Sequence, residues 1–364
     1  MLGNGLGLIL EEMAPRHSRF IDLFTGSGSV AWFVSQRFPI EARAHDLQHY
    51  ACALAAAVIE RSVVIDPESV WKRWLQRASP QFEALDPPSY PIVSASTVEK
   101  ARNWCEQFEE DTFVYAFGGH YYSPLQVSWI TALRFTLPKA RPERSACLAA
   151  LIIAASKCAA SPGHTAQPFQ PTFTAIKYLQ QSWGRDFCCD VLAALRQLGP
   201  MYAKKKGCAS VADANESARS LRAGDLVFID PPYSAVQYSR FYHVLESIAV
   251  GAITGVEGVG RYPPIKDRPS SKYSQKSTSF SAVEDLLISI ENCGASAIVT
   301  FPNHLCSNGI DAASIVSAAK GRFQVAEKSV RSLFSTLGGP SSLSGERRIA
   351  RVKADEIIIC LEPK

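Results

Sequence analysis

The sequence predicts an α/β fold with a mixed sheet, whose strands come from two chain segments separated by a mostly helical insert. Two apolar segments, Arg19–Phe24 and Asp225–Ile229, are typical of buried strands, and each runs into a turn of polar, glycine or proline residues. Between them, helical periodicity replaces the strand pattern over residues 61–206. This order predicts a catalytic domain in two halves, residues 1–60 and residues 207–364, separated by a mildly basic insert.

The first half begins with a β-α-β unit. Its first strand runs into the glycine turn Thr25–Ser29, helical periodicity follows over Val30–Val34, and a short strand, Glu41–His45, ends at Asp46. The two glycines of the turn let the backbone approach a ligand, and an acid at the end of the second strand can hold both hydroxyls of a ribose. The unit therefore predicts a Rossmann-like nucleotide site.

The insert is predicted to be mostly helical, with aromatic loops between its helices. Its helical segments are Val70–Arg77, Val98–Glu109, Ala146–Ala159 and Val191–Leu198. None of its segments is a strand that ends in a turn suited to catalysis.

The second half supplies further strands, Ala297–Phe301 and Glu356–Leu361. A stretch rich in glycine and serine, Leu337–Gly345, precedes a basic segment, Glu346–Val352. The pattern predicts that Glu346–Val352 and Glu356–Leu361 form a C-terminal hairpin.

One acidic residue indicates which of the candidate nucleotide ligands the site would bind. Asp22 lies near the carboxyl end of the first strand, where it would repel the pyrophosphate of a nicotinamide dinucleotide. A ligand with a cationic sulfonium and an α-amino group would be attracted instead. The sequence therefore favours S-adenosylmethionine as cofactor, and an NAD oxidoreductase is the weaker alternative.

The second strand ends in Asp230-Pro231-Pro232-Tyr233, which suits methylation of an exocyclic amino group. The Asp230 carboxylate and the Pro231 carbonyl can each accept a hydrogen bond from that group, which leaves its lone pair free to attack a methyl sulfonium. The two prolines stiffen the turn, and Tyr233 offers a stacking face for a base taken out of its helix. A similar string, Asp86–Tyr90, follows a polar stretch and is predicted to be a linker turn.

These motifs resemble those of the D12-class DNA adenine methyltransferases, the family of the Dam methylases. Phe20–Val30 is similar to the family's first motif and Asp230–Tyr233 to its fourth, while Ala44–Gln48 resembles the turn that binds the cofactor ribose. Ala212–Ala214 resembles the segment that flanks the cofactor adenine, and Thr300–Asn303 the turn after the fifth strand. The resemblance implies a Rossmann-like S-adenosylmethionine-dependent methyltransferase fold with a mostly helical target-recognition insert.

The resemblance and the motif chemistry together predict the site. The expected catalytic residues are Asp230, Pro231, Pro232 and Tyr233. The expected cofactor-binding residues are Asp22, Phe24, Gly26, Ser27, Gly28, Asp46, Leu47, Asp213, Ala214 and Asp230. No metal is expected, because methyl transfer from a sulfonium needs none. Gly5 stands where the family has a lysine, which predicts weaker cofactor binding unless another residue compensates.

Basic residues predict a surface that binds double-stranded DNA. The segment Arg261–Lys276 carries five Lys or Arg residues against one Asp, and the insert closes with three consecutive lysines. Both are expected to border the cleft that a flipped base enters. The predicted DNA-binding residues are Tyr238, Arg240, Arg261, Lys266, Arg268, Lys204, Lys205 and Lys206.

The predicted activity is methylation of the N6 amino group of adenine in DNA, by base flipping and direct in-line transfer. The motif requires only an exocyclic amino group on the target base. It therefore leaves N4 of cytosine and adenine in RNA as alternative substrates. A non-catalytic DNA-binding protein with a degenerate methylase fold is a third. Besides DNA, the expected partner is a cognate restriction enzyme or another defence component.

Composition excludes several other classes. The 364 residues are 47% hydrophobic and 20% charged, with a formal net charge of +4, which is globular composition. None of the ten cysteines follows a proline, as the nucleophile of a C5-cytosine methyltransferase would, and no C-x-x-C occurs. The longest apolar run, Ala146–Ala155, is about half of what a bilayer requires, and the N-terminus lacks a secretory pattern. A cytoplasmic protein is expected.

Overall fold

The computed structural model describes residues 2–335 and 351–364, and its strands form one seven-stranded sheet. The strands are β1 (Arg19–Asp22), β2 (Glu41–Asp46), β3 (Cys208–Val211), β4 (Asp225–Ile229), β5 (Ser296–Pro302), β6 (Phe323–Ser335) and β7 (Arg351–Pro363). Their order across the sheet is β3-β2-β1-β4-β5-β7-β6. Neighbours from β3 to β5 are parallel, and β7 is antiparallel to both β5 and β6. The α/β fold with a Rossmann-like sheet is confirmed.

Fourteen α-helices accompany the sheet in the described part of the chain. They are α1 (Leu6–Met13), α2 (Ser29–Arg37), α3 (His49–Ile59), α4 (Pro67–Leu85), α5 (Ala95–Cys105), α6 (Phe113–Phe117), α7 (Pro124–Phe135), α8 (Glu143–Cys158), α9 (Ile176–Trp183), α10 (Phe187–Leu198), α11 (Ala214–Ala218), α12 (Ser239–Val250), α13 (Ser279–Cys293) and α14 (Ala312–Lys320). Every residue of β1, β4 and β5 is buried, because elements on both faces cover the central strands.

The order of the strands reverses direction between β1 and β4. From β1 the chain continues to β2 and β3 on one side, and from β4 it continues to β5 on the other. In open α/β sheets such a reversal leaves a crevice at the carboxyl ends of the two strands. Both predicted motif turns follow these strands and therefore meet at the crevice.

A buried ion pair fastens the opposite, amino ends of the same two strands. The guanidinium of Arg19 donates to both carboxylate oxygens of Asp225, at 2.7 Å from Nε and 2.6 Å from Nη2. The two residues are register partners of β1 and β4, and Asp225 is completely buried. This pair fixes the alignment of the strands that carry the two motifs.

Residues 61–206 contain seven helices, α4–α10, and no strand. All four helical segments predicted in this insert coincide with helices, although α5 ends at Cys105, before the predicted end at Glu109. The string Asp86–Tyr90 lies in the loop after α4, as predicted. The largest hydrophobic core joins insert residues to residues of α3 and α12. The insert therefore packs onto the catalytic half through a shared core, and its boundaries stay a prediction.

The last strand of the sheet pairs with a different segment from the one predicted. Val352 and Glu356 lie on one continuous strand, β7, which pairs with Phe323–Ser335 along its whole length. The prediction of a chain reversal between them is wrong, because Lys353-Ala354-Asp355 contains neither the glycine nor the proline that marks a tight turn. The glycine- and serine-rich stretch Leu337–Gly345 and residues 346–350 of the predicted hairpin lie outside the described residues.

Candidate active site

A cavity of about 270 Å³ opens at the carboxyl ends of β1, β2 and β4. All four predicted catalytic residues and most of the predicted cofactor-binding residues line it. These lining residues are Phe24, Gly26, Asp46, Leu47, Asp213, Ala214, Asp230, Pro231, Pro232 and Tyr233. The structure thus brings together segments that are about two hundred positions apart in the sequence.

Three predicted cofactor-binding residues do not line the cavity: Asp22, Ser27 and Gly28. The Asp22 carboxylate is buried in its own turn, where it accepts hydrogen bonds from the Thr25 hydroxyl at 3.1 Å and the Phe24 N–H at 3.3 Å. The expectation that Asp22 faces the crevice is therefore wrong for this structure, because the turn folds back over its carboxylate.

Gly28 serves the packing of two helices. Its φ angle is 75°, and a Cβ atom there would lie 3.1 Å from the Cα atom of Ala55 in α3. Only glycine allows α2 to begin this close to α3. The hydroxyl of Ser27 lies 3.1 Å from that of Ser29, outside the cavity wall.

Asp46 is held by backbone donors from two directions. Its Oδ2 accepts the N–H of Gly26 at 3.0 Å, and its Oδ1 accepts the N–H of Gln48 at 3.0 Å. The carboxylate therefore connects the end of β2 to the glycine turn after β1. This geometry fixes both segments on the same side of the cavity.

Burial raises the pKa of each acidic group at the carboxyl ends of β1, β2 and β4. The pKa of Asp22 is raised to about 8, that of Asp230 to about 7 and that of Asp46 to about 6. Desolvation is the main cause for all three, because it penalises the charged form. A cationic ligand would favour the ionised carboxylates, whereas an anion would be repelled.

Asp230 has a partner in the neighbouring strand. The hydroxyl of Thr300, on β5, donates to Asp230 Oδ1 at 2.9 Å. This bond orients the carboxylate at the rim of the cavity. Thr300 is the first residue of the segment that resembles the family's turn after the fifth strand.

Aromatic rings cover the side of the cavity next to the catalytic turn. Tyr233 and Tyr238 have ring centroids 6.5 Å apart, and Tyr238 lies 6.5 Å from Tyr242. Tyr50, in the first turn of α3, lies 5.3 Å from Tyr242. The predicted residue Tyr238 is thus on the wall, together with a ring, Tyr50, that the sequence motifs do not indicate.

Other wall residues were not predicted. They are Leu23, Gln48, Tyr50, Ala212, Gln237, Ser239, Pro269, Ser271 and Tyr273. Gln48 is 5% exposed, and its Oε1 has no hydrogen-bond partner among the described residues, so it offers a buried acceptor to a ligand. Its sequence signal was its place at the end of Ala44–Gln48, the segment that resembles the family's ribose-binding turn.

Glu246 is a further residue that sequence motifs missed. Its carboxylate accepts the backbone N–H groups of His49 at 2.9 Å and Tyr50 at 3.0 Å, and it lies 2.7 Å from His49 Nδ1. It therefore caps the N-terminus of α3 from α12. The cap ties the helix after the catalytic turn to the helix after Asp46.

The basic segment Arg261–Lys276 borders the cavity, as expected, since Pro269, Ser271 and Tyr273 line it. Its arginines differ in their surroundings. Arg261 donates to the carbonyls of Tyr115 and Ala116 in the insert, at 2.6 and 2.9 Å, which makes it a structural link.

Two other predicted cations share one aromatic ring. The guanidinium carbons of Arg240 and Arg268 lie 5.1 and 5.0 Å from the ring centre of Tyr262. Arg268 also donates to the Pro263 carbonyl at 2.7 Å. Lys266 and Arg240 are exposed at the surface.

The expectation that Lys204–Lys206 lie near the cleft is wrong. These residues precede β3, which runs parallel to β2 with Val211 opposite Asp46 at the cavity end. Lys204 instead donates to the carbonyl of Arg37, at the end of α2, at 2.6 Å. The direction of a parallel strand therefore places the three lysines at the amino edge of the sheet, away from the cavity.

The backbone conformation at position 5 favours glycine. Its φ angle is 113°, in the region that L side chains rarely adopt, whereas a Cβ atom there would make an ordinary contact of 3.4 Å with Lys328 Nζ. A lysine at position 5 would therefore strain the backbone.

No metal site or membrane helix is found in the described part of the chain. Residues 2–335 and 351–364 contain no group of three or more His, Cys, Asp or Glu side chains that could hold a metal ion. Within the same ranges, no helix has the length and apolarity to cross a bilayer.

The sheet order and the cavity at its reversal point define a Rossmann-like protein of the methyltransferase fold. Residues 192–291 match the family model of the D12 class N6 adenine-specific DNA methyltransferase. The matched segment contains the turn Asp230–Tyr233 and the whole basic segment Arg261–Lys276. The resemblance to the D12 class is thereby confirmed.

Three curated relatives show local similarity. Modification methylase LlaI of Lactococcus lactis subsp. lactis is 42% identical over 64 residues, 18% of this chain and 10% of that protein. Modification methylase StsI of Streptococcus sanguinis is 34% identical over 80 residues, 22% and 12% of the two chains. Type II methyltransferase M.NlaIII of Neisseria lactamica is 49% identical over 39 residues, 11% of each. The chain spans about a tenth of the length of these relatives.

Proposed function

We propose that this protein transfers a methyl group from S-adenosylmethionine to the N6 amino group of adenine in double-stranded DNA. The observation that carries the proposal is the shared cavity of Asp230–Tyr233 and the turn made by Gly26 and Asp46. The match of residues 192–291 to the D12 class supports adenine as the target. The names of the relatives support a role beside a restriction enzyme or another defence component.

The residues of the cavity fit the proposed cofactor. Asp46, Leu47 and Ala214 line the cavity. In this proposal the Asp46 carboxylate accepts hydrogen bonds from ribose hydroxyls, and Leu47 and Ala214 make apolar contacts with an adenine ring. The buried acceptor Gln48 Oε1 and the neighbouring carboxyl groups suit a ligand that carries donors and positive charge. When bound, S-adenosylmethionine supplies the methyl group as a sulfonium substituent.

The catalytic turn orients and polarises the amino group of the target. The Asp230 carboxylate, oriented by Thr300, accepts one N6–H, and the Pro231 carbonyl accepts the other. The nitrogen lone pair is then free to accept the methyl group that a bound S-adenosylmethionine would supply, and the N6 proton would be lost to Asp230 or to solvent. Tyr233 and Tyr238 hold the flipped base by stacking.

Methylation of defined nucleic acids by the purified chain tests the proposal. We expect radiolabel from S-adenosylmethionine to appear in duplex DNA, and nucleoside mass spectrometry to identify N6-methyladenine. Asp230→Ala should abolish transfer while the chain stays folded and still binds DNA.

Other outcomes of the same assay would contradict the proposal. Label in cytosine would show N4 methylation, and label in RNA alone would show another substrate. Tight DNA binding without transfer or cofactor binding would favour the degenerate, non-catalytic alternative.

A further inference from the structure

A fully buried asparagine joins the catalytic turn to the basic segment. Asn308 lies in the loop between β5 and α14, and its side-chain Nδ2 donates to the carbonyl of Pro232 at 2.9 Å and to that of Tyr273 at 3.0 Å. An amide nitrogen has two hydrogens, so both donors of Asn308 are used. The residue itself does not line the cavity.

The two carbonyls belong to different segments of the cavity wall. Pro232 is inside the catalytic turn, and Tyr273, in the basic segment, packs edge-on against Phe24 with ring centroids 4.9 Å apart. Because one amide nitrogen bonds both carbonyls, Asn308 holds these two wall segments together. Gln237 adds a link farther along the chain, since its amide exchanges hydrogen bonds of 3.0 and 2.7 Å with the backbone of Ser271.

The loop that carries Asn308 makes two further hydrogen bonds. The hydroxyl of Ser307 accepts the N–H of Ala235, just after the catalytic turn, at 2.9 Å. The loop thus contacts the turn region at two points, Asn308 and Ser307. The hydroxyl of Ser279, at the start of α13, donates to the backbone carbonyl of Asn308 at 2.8 Å, and this bond does not reach the turn.

We propose that Asn308 is a positioning residue that sets the geometry of the catalytic turn; this inference rests on the proposed function. Fixing the Pro232 carbonyl fixes the plane of the peptide that leads into Tyr233, and hence the direction of the stacking ring. Removing the amide leaves the buried Tyr273 carbonyl and the half-buried Pro232 carbonyl without this donor. The turn then samples other orientations, and the amino group of the target is no longer aligned.

Asn308→Ala and Ser279→Ala form a matched pair for the test. Each removes buried hydrogen bonding from the same loop, but the bond of Ser279 does not reach the turn. We expect Asn308→Ala to lower the single-turnover rate of methyl transfer about 10²-fold, the scale of a misplaced reacting group. Ser279→Ala should stay near the wild-type rate. Cofactor affinity should change much less than the rate for Asn308→Ala, since the cavity's cofactor side is intact.

Hydrogen–deuterium exchange gives a readout that does not depend on activity. Exchange of the segment after Pro232 should become faster in Asn308→Ala and stay unchanged in Ser279→Ala. Asn308→Asp, which keeps the shape and removes the paired donors, serves as the second variant should the alanine variant fail to fold.

Two results would overturn the inference. One is a wild-type rate in both Asn308 variants; the other is an equal decrease in Asn308→Ala and Ser279→Ala. A wild-type chain that transfers no methyl group would instead contradict the proposed function, and the exchange data would still decide whether Asn308 fixes the turn.

Discussion

Asp46 Oδ2 accepts the backbone N–H of Gly26 at 3.0 Å, which joins the ends of two strands at the wall of the cavity. The two residues lie 20 positions apart, and the hydrogen bond holds the glycine turn against the segment that follows β2. The same carboxylate is the predicted ribose acceptor. In the proposed function, cofactor binding and the shape of the glycine turn therefore both depend on this side chain.

Asp46→Ala should weaken the binding of S-adenosylmethionine by about 1.5–3 kcal/mol, the range for removal of a charged acceptor. Calorimetry measures the change directly. Asp46→Asn is the matched variant, because it keeps an oxygen for the Gly26 N–H while removing the charge. Unchanged affinity in Asp46→Ala would remove this residue from the ribose role.

The affinity for S-adenosylmethionine should rise with pH between about 5 and 8. The two aspartates that line the cavity, Asp46 and Asp230, have pKa values raised to about 6 and about 7, so protons must leave before these carboxylates can attract a cation. S-adenosylhomocysteine lacks the sulfonium charge and should show a shallower rise. Parallel titrations of both ligands by calorimetry check this, and equal slopes would rule out an effect of sulfur charge.

Asp22→Asn should stabilise the ligand-free chain near pH 8 and change its stability little near pH 4. Because the pKa of Asp22 is raised from an ordinary 3.8 to about 8, its contribution to stability is present at acidic pH and is lost as pH rises toward and through 8. An amide cannot ionise and so avoids that loss. Thermal melting at both pH values tests the sign, and an equal shift at both would refute it.

Neutralising Arg240 and Lys266 should weaken binding to all DNA sequences alike. Both side chains are exposed on the side of the molecule where the basic segment borders the cavity. The slope of log affinity against log salt should fall by about one unit for each phosphate that is no longer bound. Neutralising Lys204–Lys206 is the control, because those lysines lie at the opposite edge of the sheet. If only the Lys204–Lys206 variant changes the salt dependence of binding, the DNA contacts the opposite edge of the sheet and this prediction is wrong.

Asp225→Ala should destabilise the fold by about 3–5 kcal/mol, since it leaves the buried guanidinium of Arg19 without its partner. Denaturant unfolding measures the decrease. The double variant Arg19→Met with Asp225→Leu removes both charges and should recover most of the stability. If the double variant is no more stable than Asp225→Ala, the loss of stability comes from removing the ion pair and not from leaving a charge unpaired.

The local sequence was sufficient to predict the strands and turns that carry the catalytic and cofactor-binding residues. A buried apolar strand followed by Gly26 and Gly28, or by Pro231 and Pro232, restricts the backbone within a few residues, so the pattern can be recognised without distant contacts. The pairing of the last strand was predicted wrongly because its true partner, Phe323–Ser335, lacks a comparable local signal.

The sequence by itself therefore determined the α/β class, the insert and the composition of the catalytic turn. Only the tertiary structure decided that Asp22 is buried under its own turn and that Lys204–Lys206 lie away from the cavity. It also revealed Asn308, whose bond to Pro232 spans 76 positions. The physical reason is that side-chain direction, strand direction and long-range hydrogen bonds depend on how the whole sheet assembles, whereas backbone restriction by glycine and proline is local.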